Sequence, residues 1–180
     1  MAHYVSPQRA YYGGILVTNA KGVPREFRHS EGVRPTKLQE ALYGDSLELS
    51  LGLDALGPAL YDALQLRPDV LLVDAESRQV FGSFLDAHPP AALLVVYDDP
   101  EKAFADTISP EGNLLGAREL QLKTPSKDRL FAYIEEGDSG GAGFRALADA
   151  QKGMNLVSPF QRIRLVLAQV AETEQDRKKG

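Results

Sequence analysis

The chain contains no cysteine and only three histidines among its 180 residues. Without cysteine there can be no disulfide framework, no Cys-ligated zinc site and no thiol nucleophile. The histidines, His3, His29 and His88, are scattered and offer little to a His-rich metal centre. No uninterrupted apolar run approaches the roughly 18 residues that a membrane-spanning helix needs. The opening residues 1–7 lack the basic-then-apolar layout of a secretory leader. These absences predict a soluble, cytoplasmic chain with no membrane partner.

A 43% hydrophobic and 25% charged composition suits one compact domain. A chain of this length can bury most of its apolar surface without covalent staples. We expect a single α/β domain over residues 1–171 and a polar tail, 172–180, that frays. The net charge of −5 is unevenly placed. Residues 1–37 carry six basic side chains against two acidic ones, and residues 38–111 carry three against fourteen. The two segments either neutralise each other by packing together, or present a basic surface to an anionic partner and an acidic one to a cationic partner.

Residues 11–30 read as a β-hairpin. A β-rich apolar run, Tyr11 to Thr18, is followed by turn residues Asn19, Ala20, Lys21 and Gly22, and then by alternation from Val23 to His29. Arg25, Phe27 and His29 fall on one face of that second strand, Glu26 and Arg28 on the other. Pro24 at its start marks an edge strand. Thr36 and Gln39 form a capping-box pattern that opens a helix, which Gly44 closes. Asp45 to Glu48 form a second capping-box candidate, and Pro58 implies a break or kink in the Leu-rich helix that follows. Residues 69–74 and 91–97 are short apolar runs ending in acids, which read as buried strands. Val80, Phe81, Phe84 and Leu85 lie at helical spacing between them, completing a βαβ unit. Residues 118–123 alternate and predict a further strand. Thr124 and Pro125 predict a helix with Leu130, Phe131 and Ile134 as its apolar stripe. Residues 144–151 read as another helix. Ser158, Pro159 and Gln161 give a strong start to a last one, whose face is Phe160, Ile163, Val166, Leu167 and Val170. The fold class expected is therefore α/β: a small mixed sheet with an N-terminal β-hairpin on one edge, a βαβ core and C-terminal helices.

Three constellations could carry chemistry. The acids Asp74, Asp98 and Asp99 end the two buried strands, where open α/β sheets bind ligands. Together they could hold Mg²⁺ and activate water against a phosphodiester, though acids there also serve as ordinary helix caps. The basic residues Lys21, Arg25, Arg28, Arg34 and Lys37 lie on the hairpin and its exit loop. With Tyr11, Tyr12 and Phe27 they could contact single-stranded nucleic acid, unless those aromatics are hairpin core. Gly140, Gly141 and Gly143 could present amides to a phosphate, but they follow a helix pattern and lack the Lys-Ser/Thr ending of a phosphate loop. His29 reads as a rim histidine sooner than a catalytic base.

Two resemblances bear on this. Residues 137–141, Gly-Asp-Ser-Gly-Gly, resemble the nucleophile motif of chymotrypsin-like serine proteases. That would imply Ser139 as nucleophile, with the Ser139 and Gly137 amides as oxyanion hole. Helix patterns flank the motif on both sides, unlike that double β-barrel family, and the match is read as fortuitous. Residues 13–44, through Gly13-Gly14, Gly22 to Arg28, Arg34 to Gln39 and Leu42 to Gly44, resemble a recurring segment of bacterial proteins with no assigned function. Residues 158–163 are similar to the C-terminal helix of those proteins. This resemblance implies no chemistry.

No nucleophile, base and orienting group emerge together. The sequence therefore predicts a non-catalytic binding or regulatory protein, without cofactor, acting on a protein partner through the hairpin and the loop before the first helix. The alternatives are a Mg²⁺-dependent phosphoester hydrolase at the strand-end acids and a nucleic-acid-binding module on the basic hairpin.

Overall fold

The structure, a computed structural model, describes residues 1–68, 70–88, 93–97, 118–123, 129–134 and 156–179. The fold is mixed α/β, and its strands fall into two sheets. The hairpin forms as expected, from β2 (Tyr11–Thr18) and β3 (Pro24–His29). It does not edge the βαβ sheet. A short strand that the sequence reading missed, β1 (Ala2–Val5), pairs antiparallel with the other side of β2 and closes a separate sheet in the order β1-β2-β3. Pro24 begins the edge strand β3, where its missing N–H costs no ladder bond.

After β3 come α1 (Lys37–Tyr43) and a continuous helical path through a 3-10 turn, α2 (Leu47–Leu51) and α3 (Gly57–Ala63). The second capping box does not form: α2 starts without a side-chain cap, and the Ser46 hydroxyl donates to the Tyr43 carbonyl instead. Before Pro58 the α-helix is interrupted but the helical path continues: residues 52–56 between α2 and α3 wind as a π-helix, with the Gly57 N–H bonding the Gly52 carbonyl. This wider turn carries the chain into α3 with Pro58 at its first positions, where no N–H is required.

The βαβ unit is present as β4 (Leu71–Asp74), α4 (Ala75–Ala87) and β5 (Leu93–Tyr97), with β4 and β5 parallel. Strand β6 (Arg118–Lys123) also forms. The helix expected around Leu130 does not: Arg129–Ile134 is strand β7, paired antiparallel with β5 on one side and β6 on the other. Leu130 and Ile134 suit a helical stripe but also alternate with Phe131 and Tyr133, and pairing on both sides decides for the strand. The second sheet thus runs β4-β5-β7-β6 and is mixed.

Helix α5 (Ser158–Lys179) includes the segment expected to fray. Its polar end is tied back to the first strands, since the Tyr12 hydroxyl donates to Glu174 at 3.1 Å and Gln175 bonds Gln8. Residues 144–151 and Ser139, Gly140, Gly141 and Gly143 lie outside the described residues.

Strand β2 is buried on both faces, which explains its unbroken apolar sequence. Tyr11 and Ile15 pack with Leu51, Leu56, Leu60, Phe81 and Phe84. Tyr12, on the opposite face, packs with Phe160, Ile163 and Leu167 of α5. The aromatics proposed to stack on bases are thus core residues in the case of Tyr11 and Tyr12. Val166 lies at the margin of the α5 stripe, more than a third exposed, and Ala171 takes the buried position instead. Gly13 and Gly14 let the helices approach: a Cβ on Gly14 would stand 2.6 Å from Ile163 Cγ2. Among the described residues, no helix is long and apolar enough to cross a membrane.

Candidate functional site

Asp74 ends β4 and is the N-cap of α4, in the extended conformation a cap requires. Its Oδ1 accepts from the Ser77 N–H at 3.0 Å. Its Oδ2 pairs with Arg164 Nη2 of α5 at 2.6 Å. Arg164 also holds Glu76 at 2.9 Å. Both oxygens of the strand-end carboxylate are therefore engaged, one by a helix cap and one by an ion pair across the fold. Asp98 and Asp99 lie outside the described residues. No three His, Asp or Glu side chains among the described residues are placed to hold a metal ion.

The N-terminal strand enters the same corner. The Met1 amine donates to the Leu72 carbonyl at 2.8 Å, and burial lowers its pKa to about 5 against the opposing pull of Asp74. The His3 N–H donates to Ser77 Oγ at 3.1 Å, and His3 Nδ1 lies 3.1 Å from the same oxygen. Burial lowers the His3 pKa, and Arg164 adds to that effect. A serine beside an imidazole invites a nucleophilic reading, which the geometry does not favour. Ser77 is fully buried, its oxygen already accepts a backbone N–H, and the ring has no carboxylate hydrogen-bonded to it among the described residues.

The five basic residues do not form one patch. Lys21 and Arg25 are exposed at the turn end of the hairpin, and Arg34 and Lys37 are exposed near the start of α1. Arg25 lies near the start of β3, and Glu26 to His29, about 13 Å of strand, separate it from the loop that leads to Arg34. Arg28 is half-buried and pairs with Glu26 at 2.8 Å, on the face opposite Arg25. Glu26 also accepts the Gln65 and Leu66 N–H groups at 3.0 and 2.8 Å. Those two backbone bonds, and then Arg28, hold its carboxyl below the usual range. His29 is exposed, with Nδ1 3.0 Å from the Ser30 carbonyl oxygen and its ring against Phe27.

The feature that sequence reasoning missed is the direction in which α1 faces. The expected capping box is present: Thr36 Oγ1 accepts from the Gln39 N–H at 3.2 Å, and Gln39 Oε1 accepts from the Thr36 N–H at 2.9 Å. Yet α1 buries none of its residues. Leu38 and Leu42, one turn apart, are 68% and 72% exposed, and Tyr43 is exposed beside them. The half-buried member is Glu40, which lies 3.5 Å from Arg9. An amphipathic helix normally turns its apolar stripe inward; here the leucines face solvent. The Leu38–Leu42 spacing was visible in the sequence, but periodicity reveals a stripe without revealing what it faces.

Comparison of the chain with protein-family models, with curated proteins and with solved structures finds no match.

Proposed function

We propose that this chain is a non-catalytic binding protein that docks a partner protein on the outward stripe of α1. The observation that carries this reading is the exposure of Leu38 and Leu42 on a properly capped helix. Burying a leucine side chain is worth about 1.5–3 kcal/mol, so two of them on one stripe supply a useful share of a binding energy. The exposed Arg34 and Lys37 precede the stripe, and neither makes a salt bridge with a described residue. An amphipathic segment with two apolar anchors and acidic flanks complements this surface. The strand-end acid and the hairpin cations offer less support for the rival readings. Asp74 is occupied by Ser77 and Arg164, and Arg28 by Glu26.

The test uses the full chain and fluorescein-labelled helical peptides with leucines one turn apart. One peptide carries glutamate flanks and the other lysine flanks. The acidic-flanked peptide binds the wild type more tightly, and Leu38→Ser/Leu42→Ser removes that binding. Equal binding of both peptides, or binding that survives the double substitution, overturns the reading. Sedimentation velocity on the chain alone supplies a further check. Self-association abolished by the same substitutions would make a second copy the occupant and overturn the acidic partner.

A further inference from the structure

A cavity of about 360 Å³ lies where the end of β2, the loop before β4 and the first turn of α5 converge. Its walls are apolar: Ile15 and Val17 of β2, Leu71 of β4, and Phe160 and Ile163 of α5. Well-packed interiors contain few voids larger than a water molecule. Water inside an apolar chamber has few partners to bond, so an open chamber of this size gains by taking an apolar occupant.

The chamber is framed by contacts between distant parts of the chain. Glu26 fixes the loop before β4 through the Gln65 and Leu66 N–H groups. The Met1 amine fixes β4 through the Leu72 carbonyl. Arg162 of α5 donates from Nη2 to the Gly22 carbonyl of the hairpin turn at 3.2 Å. Each contact ties one wall to another, so the opening is a built feature of the fold.

Among the described lining residues, the polar side chains are few and cationic or neutral. Arg67 lines the chamber, is exposed, and makes no hydrogen bond or salt bridge with any described residue. Thr18 and Asn19 contribute further polar atoms. Glu26, which holds the loop before β4, is itself paired with Arg28. Arg162 adds a second guanidinium to the frame, and its Nε is buried without a hydrogen-bond partner. An apolar chamber with an uncommitted guanidinium selects a molecule with a hydrocarbon body and one anionic head. The volume, at the lower end of the range for small-molecule sites, favours a short ligand over a long lipid.

We infer that this cavity binds a small amphipathic monocarboxylate, such as a medium-chain or phenyl-substituted acid, with Arg67 receiving the carboxylate. The site is separate from the α1 stripe and does not depend on that reading.

Calorimetric titration of the full chain with octanoate, octanol and octylamine tests it. Octanoate binds saturably, octylamine does not, and octanol binds more weakly than octanoate. Arg67→Gln weakens octanoate by about tenfold or more, as expected for a lost charged hydrogen bond, and leaves octanol unchanged. Ala20→Trp, a substitution at an exposed position on the chamber wall, weakens octanoate and octanol alike. No saturable octanoate binding overturns the inference. So does equal binding of acid and amine, or octanoate affinity unchanged by both substitutions.

Discussion

Asp74 and Arg164, ninety positions apart, meet at 2.6 Å and join the start of the βαβ unit to the C-terminal helix. Their side chains are 16% and 29% exposed, so the pair is shielded more than a surface ion pair. Asp74 simultaneously caps α4. The two roles can be separated. Asp74→Asn keeps an acceptor for the Ser77 N–H but loses the charge, and costs about 1 kcal/mol of unfolding free energy. Asp74→Ala loses both and costs about 2–3 kcal/mol, adding a lost cap to the lost ion pair while Glu76 stays beside Arg164. Urea denaturation of both variants checks the ordering; equal costs would show that the ion pair alone matters and the cap contributes nothing.

Stability depends on pH in a direction fixed by the N-terminal corner. The Met1 amine falls from 8.0 to about 5 on folding, and the His3 pKa is also lowered. Between pH 5 and 8 the unfolded chain therefore binds more protons than the folded one, and stability rises with pH across that window. A three-unit depression corresponds to at most roughly 4 kcal/mol. Urea midpoints measured from pH 5 to 8 should climb. His3→Gln should flatten the part of the climb near the ordinary histidine range, and a flat profile in the wild type would contradict this account.

Gly52 and Gly14 differ in what a methyl group would meet. A Cβ at Gly52 would overlap the Val80 backbone carbonyl, which cannot rotate away. At Gly14 it would meet the Ile163 side chain, which can shift. Gly52→Ala should cost about 3 kcal/mol or more, and Gly14→Ala about 1–3 kcal/mol. Thermal unfolding of the two variants gives the comparison.

Leu38→Ser and Leu42→Ser should each change stability by no more than about 0.5 kcal/mol, since neither side chain is buried. A loss of several kcal/mol in chemical denaturation would mean that the stripe packs within the fold and is not a docking surface.

The end of α5 should behave as part of the domain. Glu174→Ala strands the hydroxyl of the buried Tyr12 and should cost about 1–3 kcal/mol, whereas Tyr12→Phe in the same background should recover part of that loss. A double-mutant cycle by urea denaturation measures the coupling.

Local chemistry made much of this fold readable. Asn19 shows why: its side chain accepts the Lys21 and Val23 N–H groups and shapes the turn that its residue type announced. Thr36 with Gln39, and the α4 stripe from Val80 to Leu85, were legible on the same grounds. What escaped depended on distant partners. Strand β1 has only four residues and exists because β2 offers it an edge. Strand β7 carries spacing that serves either a helix or a strand until β5 and β6 flank it. At the candidate sites, Asp74 was identifiable as a strand-end acid, but nothing nearby in sequence points to Arg164. The outward aspect of α1 likewise follows from what its neighbours leave uncovered.

The placement of α5 over one face of β2 imposes an order on events during synthesis. Tyr12 and Leu16 leave the ribosome about 150 residues before Ile163 and Leu167, which cover that face. At typical translation rates this is a delay of about 10–30 s. Throughout it the hairpin can zip and gather its helices on the Tyr11 side, while the Tyr12 side stays bare and adhesive. A nascent chain stalled before Ser158 therefore presents an uncovered apolar strand face, the kind of surface that promotes aggregation.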